Sequence, residues 1–228
     1  MLLAIDTSTR TAGVAVYDGV HVLGEVVWFS QDHHTVELAP VIDLMLSRGG
    51  IAASDLKAVA VALGPGSFTG LRIGIALAKG MALGGRLDLV GVPTLDILAA
   101  AQPVQEIPLV AVLQAGRGRL AVEWYHVEEA SETVPPHWKA DGKLQVMDAH
   151  ALSGKIHMPT FVCGELDADE RQVLARKWKN VLLASPAESL RRPSYLAELG
   201  WRRWLNRQIE DPASLSPLYL HIGEAIPG

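Results

Sequence analysis

Residues 63–84 read LGPGSFTGLRIGIALAKGMALG, a glycine-rich turn that runs directly into an apolar segment. Glycine-rich loops that open helices commonly hold phosphates, because first-turn amides are unpaired and the helix dipole favours an anion. Spacing tests the known versions. A Walker-type loop requires Lys followed by Ser or Thr after its last glycine, whereas Gly70 is followed by Leu71 and Arg72. The dinucleotide fingerprint requires glycine at its first, third and sixth places. Gly64 and Gly66 fit, but Thr69 takes the sixth. A hydrolase elbow centred on Ser67 requires glycine two residues to either side, where Pro65 and Thr69 stand. What remains is a strand-to-helix turn capped by Ser67 or Thr69.

The helix predicted from Thr69 to Leu83 has Arg72 and Lys79 as its charged residues. Gly70, Gly74 and Ala78 recur every fourth position, as do Ala76, Gly80 and Gly84. An interior glycine costs about 1 kcal/mol relative to alanine in a helix, so such a series implies close backbone approach. A helix apolar all round is buried all round. One side faces a sheet; the other requires a neighbouring helix, another subunit, or both.

Outward from this segment, the first thirty residues read as strands: Leu2–Ile5, Ala12–Tyr17, an Asp18-Gly19 turn, and Val22–Phe29. From Thr35 to Arg48 the period becomes helical, with Leu38, Val41, Ile42 and Met45 on one stripe and Pro40 expected to disturb it. Strand Ala58–Leu63 enters the quoted loop. Strand Leu87–Val92 follows, then a helix to Ala101 with Thr94 as its expected N-cap. After Gln102-Pro103 and Pro108 a second series begins: strands Leu109–Leu113 and Leu120–Val127, a loop over Glu128–Asp141, strand Lys143–Met147 and a short helix near His150. Strand Thr160–Cys163, helix Asp169–Trp178, strand Val181–Ala184, helix Ser194–Gln208 and a tail SLSPLYLHIG complete it. The expected division is an N-terminal α/β lobe at 1–104, a smaller α/β lobe at 105–190, and a C-terminal helix and tail at 191–228 that pack back on the first.

The 228 residues carry a formal net charge of −5, and no dense run of Lys or Arg. The nearest is Arg191-Arg192 with Arg202-Arg203 and Arg207, so an RNA would have to be gripped mainly by another chain. A single cysteine, Cys163, rules out an intramolecular disulfide and a cysteine-based zinc cluster. The start, MLLAIDTSTR, lacks a basic region and a long apolar run, and no apolar stretch is long enough to span a bilayer. The expectation is a soluble, cytoplasmic protein. Asp6, in the turn DTST, could hold a hydrated cation, or simply form an Asx turn. His33-His34 with Glu37 make too small a set for a metal site.

Taken together, IDTST, HHTVELAPVIDLML, GPGSFTGLRIGIALAKGMALG, VGVPTLDILA and LSPLYL resemble the TsaB (YeaZ) family. The match is specific through residues 1–101 and looser beyond. The resemblance implies an actin-like two-lobe fold of ribonuclease H-like lobes, related to sugar kinases and Hsp70, with the second lobe reduced. It implies a non-catalytic subunit in the formation of threonylcarbamoyladenosine beside the tRNA anticodon. That subunit would bind and activate the paralogous transferase TsaD and allow the ATPase TsaE to join. The free chain would self-associate through the same surface, and tRNA would be met only through the complex. Aligned on the transferase's metal-binding His-x-x-x-His, this chain has Thr94 and Leu98. The degenerate loop (Asp6, Gly64, Gly66, Ser67) would hold no cofactor and no metal, and no residue is catalytic. The partner interface carried over is Leu38, Val41, Ile42 and Met45 with Leu71, Ile75 and Lys79. The alternative is a small actin-like phosphotransferase or ATPase working from Asp6 and the Gly64–Ser67 turn.

Overall fold

The computed structural model describes residues 1–31, 34–116, 118–130 and 135–220. His33, His221 and part of the 128–141 segment lie outside them. The first half runs β1 (Leu2–Asp6), β2 (Thr11–Tyr17), β3 (Val22–Phe29), α1 (His34–Arg48), β4 (Ala58–Ala62), α2 (Phe68–Gly85), β5 (Asp88–Val92) and α3 (Thr94–Ala100). Its sheet is ordered β3-β2-β1-β4-β5, antiparallel across the first three strands and parallel from β1 to β5.

The second half repeats the plan with β6 (Leu109–Gln114), β7 (Leu120–Glu128), β8 (His137–Ala140), β9 (Gln145–Met147), α4 (Ala149–Lys155), β10 (Thr160–Gly164), α5 (Ala168–Ala175), β11 (Val181–Leu183) and α6 (Pro193–Leu205). The order is β11-β10-β6-β7-β8, with β9 also paired to β7. Again the first strands are antiparallel and the later ones parallel. β8 falls inside the segment read as a loop. Its polar residues disguise it, but Trp138 is buried and donates to the Gln102 carbonyl at 3.2 Å.

Each half lends its third helix to the other. Residues Ile97 of α3 and Leu196 and Ala197 of α6 share a core with Leu2, Ala4, Ala15, Ala58, Ala60 and Ala62 on one face of the first sheet. On its opposite side α3 buries Leu95, Leu98 and Ala99 against Leu109, Ala111 and Leu113 of the second sheet. The alanines make the α6 seat shallow, and a Cβ on Gly200 would come within 2.5 Å of the Ala60 Cβ. The other face of the first sheet carries Leu3, Ile5, Val14, Val16, Val59 and Val61 against α1 and α2.

Helix α1 runs without a break through Pro40. Ser67 caps α2, its Oγ accepting from Gly70 N at 3.3 Å. Thr94 is not the cap of α3; that position is Pro93, and the threonine side chain serves another purpose described below. Two glycines of α2 are tightly seated: a Cβ at Gly70 would collide with the Thr7 carbonyl, and one at Gly74 with Thr7 Oγ1. Gly80 and Gly84 face open space. Among the described residues, no helix is long and apolar enough to cross a membrane.

These environments set opposite signs for the same substitution. Gly70→Ala is expected to cost about 1–3 kcal/mol by overpacking. Gly80→Ala is expected to add about 0.5–1 kcal/mol through helix propensity. Thermal or denaturant unfolding of the isolated chain measures both.

Candidate functional site

In an open sheet with parallel strands, ligands bind beyond the carboxyl ends at the point where strand order reverses. Here that point lies between β1 and β4, at Asp6 and the Gly64–Ser67 turn. The ends of both sheets converge on a cleft of about 1070 Å³. The first half contributes Thr9 and Gly66–Gly70, the second Gln114–Gly116 and Gly164–Asp167.

The Gly64–Ser67 turn faces inward chemically. Gly64 N donates to Thr94 Oγ1 at 2.9 Å, and Thr94 N donates back to the Gly64 carbonyl at 2.8 Å. Thr94 Oγ1 also bonds Ser8 Oγ at 2.8 Å. Ser67 N donates to the Ser8 carbonyl at 2.6 Å. A phosphate cradle requires amides aimed at the ligand; the Gly64 and Ser67 amides are aimed at the protein's own oxygens. Thr94 and Leu98 are both fully buried.

Asp6 is likewise committed. Its Oδ1 accepts from Ser8 N at 2.8 Å, the Asx geometry, and its Oδ2 from Arg191 Nε at 2.9 Å. Arg191 is 2 % exposed. One terminal nitrogen donates to Glu165 Oε1. The other donates to Thr9 Oγ1 at 2.7 Å and to the Thr11 carbonyl at 2.8 Å. Thr9 Oγ1 itself donates to Glu165 Oε1 at 2.6 Å. Burial alone would lower the pKa of the guanidinium, but the Asp6 and Glu165 carboxylates outweigh that and raise it, so it stays charged. A fixed monovalent cation therefore sits where a hydrated metal would have to approach Asp6.

Arg191 does not belong to a basic surface. Arg192 pairs with Glu25 at 2.5 Å, so the late arginine cluster does not form one positive face. Cys163 is fully buried, and burial pushes its thiol up to about 12, well out of the nucleophilic range at neutral pH. Among the described residues, no three His, Cys, Asp or Glu side chains gather as metal ligands.

The structure places most of the interface residues carried over from the resemblance inside the chain. Leu38, Ile42, Met45, Leu71 and Ile75 are buried in the chain's own core, against Leu3, Ile5, Val59 and Val61. The strongest apolar stripe of a helix faces the largest apolar surface available, and here that is its own sheet. Val41 and Lys79 are half-buried. The outward face of α2 carries Arg72, Ala76, Gly80, Leu83 and Gly84, and that of α1 carries Val36 and Leu44. The spacing of four separated these two faces of α2 without saying which was outside. The roles of Arg191, Glu165 and Thr9 had no local signal, since Thr9 meets Glu165 and Arg191 from more than 150 residues away and Arg191 and Glu165 are themselves 26 apart.

Two sheets of one strand order, exchanged third helices and a cleft at the carboxyl ends define an actin-like fold. Comparison with known proteins narrows this. The family model "TsaD: tRNA N6-adenosine threonylcarbamoyltransferase" matches residues 22–136, half of the chain. The tRNA threonylcarbamoyladenosine biosynthesis protein TsaB of Bacillus subtilis is 29% identical, over 98% of this chain and 95% of its own length. A tRNA N6-adenosine threonylcarbamoyltransferase of Anaeromyxobacter dehalogenans is 36% identical, but over 47% of this chain and 37% of its own length. The solved structure of YeaZ from Pseudomonas aeruginosa shares the fold with a TM-score of 0.77 at 22% identity, covering 96% of this chain and 99% of that one. The chain belongs to the TsaB/YeaZ family.

Removing one member of a buried ion pair leaves the other charge uncompensated. Arg191→Ala is expected to destabilise the chain by about 3–5 kcal/mol, read from denaturant unfolding.

Proposed function

We propose that this chain is a non-catalytic subunit of the apparatus that forms threonylcarbamoyladenosine on tRNA. In this reading it binds and activates the transferase TsaD through the lobe formed by residues 1–104, and allows TsaE to join the pair. Alone, it self-associates through the same surface. The observation that carries the reading is the outward face of α2. Ala76, Gly80 and Gly84 form a shallow groove beside Leu83, which is 70 % exposed. Val36 and Leu44 of α1 extend the apolar surface, at 68 % and 56 % exposure. Half-buried Val41 and Lys79 belong to the two helices that present it. Small residues let a facing helix approach closely, and ridges from such a helix fit the groove. An apolar patch of this kind on a soluble fold marks a contact surface. The internal use of Asp6, Gly64 and Ser67 supports the absence of a reaction of its own.

The test is co-elution of the chain with its TsaD in size-exclusion chromatography. Ala76→Arg and Leu83→Glu are expected to weaken the pair by at least about 2 kcal/mol, the scale of an interface hot spot, with an unchanged circular dichroism spectrum. Full co-elution of both variants would refute the assigned surface. Ile42→Asp and Ile75→Arg are unsuitable probes, because each places a charge in the core and is expected to unfold the chain. For the alternative phosphotransferase reading, calorimetry with Mg-ATP on the lone chain is decisive; no binding heat is expected.

A further inference from the structure

The chain crosses between its halves twice, at residues 101–108 and 184–192. In two-lobe proteins such crossovers are where a hinge absorbs its change in backbone angles. Here both are fastened. Gln102, buried in the first crossover, donates from Nε2 to the Glu188 carbonyl of the second at 2.8 Å. Its own carbonyl accepts from Trp138 of β8. Arg191, near the end of the second crossover, reaches Asp6, Thr9 and Thr11 in the first half and Glu165 in the second. Thr9 closes the ring by bonding Glu165 directly.

We propose that Arg191 is the resident cation of the cleft, its guanidinium filling the oxygen cage of Asp6, Thr9, Thr11 and Glu165 and thereby holding the two lobes at one fixed angle without a diffusible ligand. Two carboxylates, a hydroxyl and a carbonyl are the donor types that bind hard cations. A planar fork with five donors satisfies the same oxygens, provided they are placed to meet it. Because the guanidinium is tethered to the crossover, it cannot leave, and closure becomes a property of the chain. The fixed angle also fixes the frame that carries α1 and α2. This inference stands on the cleft alone and is independent of the partner proposed above.

Pulsed dipolar EPR between spin labels at Ser54→Cys in the first half and His157→Cys in the second measures the angle directly. Both positions are exposed, and fully buried Cys163 does not compete for label. One narrow distance distribution is expected, unchanged by added Mg-ATP. Arg191→Ala should broaden it and shift it to longer distance, and added guanidinium ion should narrow it again. Glu165→Gln should broaden it less. An unchanged distribution in folded Arg191→Ala overturns the proposal, as does a distribution that responds to Mg-ATP in the parent protein. Failure of guanidinium to narrow the Arg191→Ala distribution assigns the change to lost packing and also overturns it. If Arg191→Ala does not fold, Glu165→Gln decides: broadening supports the clamp and no broadening overturns it.

Discussion

A single buried guanidinium organises the centre of this molecule. Arg191 contacts the end of β1, the turn after it, the start of β2 and Glu165, just after β10. Taking an ion of that size from water is expensive, and the cost is offset only by well-aligned hydrogen-bonding partners. Here Asp6, Glu165, Thr9 and the Thr11 carbonyl accept from four of its five N–H donors. The consequence for chemistry is direct: the carboxylate best placed to hold a hydrated metal is already neutralised from within. Within the cleft, Asp6, Thr9, Glu165 and Arg191 are bonded to one another.

The rest of the architecture depends on side chains that are small where backbones meet. Alanines on one face of the first sheet make room for α6, and Gly200 completes the fit. On the opposite face Gly70 and Gly74 let α2 settle onto the turn at Thr7. Such glycines lower helix propensity, and the tight packing they permit offsets that loss. Among the described residues, Gly80 and Gly84 have no such partner. Their cost has no counterpart in packing within the chain, which supports the contact surface proposed on the outward side of α2.

Much of the fold was legible because its signals are local. The alternation in Ala12–Tyr17, the stripe in α1, the capping serine before α2 and the repeated glycines each act within a few residues. The repetition of strand-rich and then alternating segments disclosed two α/β halves. Strand β8 was missed because charged neighbours mask its pattern, and its burial depends on Trp138 reaching Gln102 across the sequence. Thr94 looked like a cap because a threonine ahead of an apolar run usually is one. Its hydroxyl is instead claimed by Gly64 and Ser8, contacts that only the folded chain creates.

The sequence by itself determined that α2 carries few charges, that its opening loop lacks the Walker and dinucleotide spacings, and that two similar halves follow one another. Those are statements about composition and spacing, which the chain carries in any conformation. Which stripe of α1 and α2 turns inward was decided by the tertiary structure, because a helix buries whichever face meets the larger apolar surface. The placement of Leu38, Ile42, Met45, Leu71 and Ile75 in the core followed from that choice. The fate of Asp6 was decided the same way. A carboxylate reads identically in sequence whether it awaits a metal or already holds an arginine. Only the fold brings position 191 back to position 6.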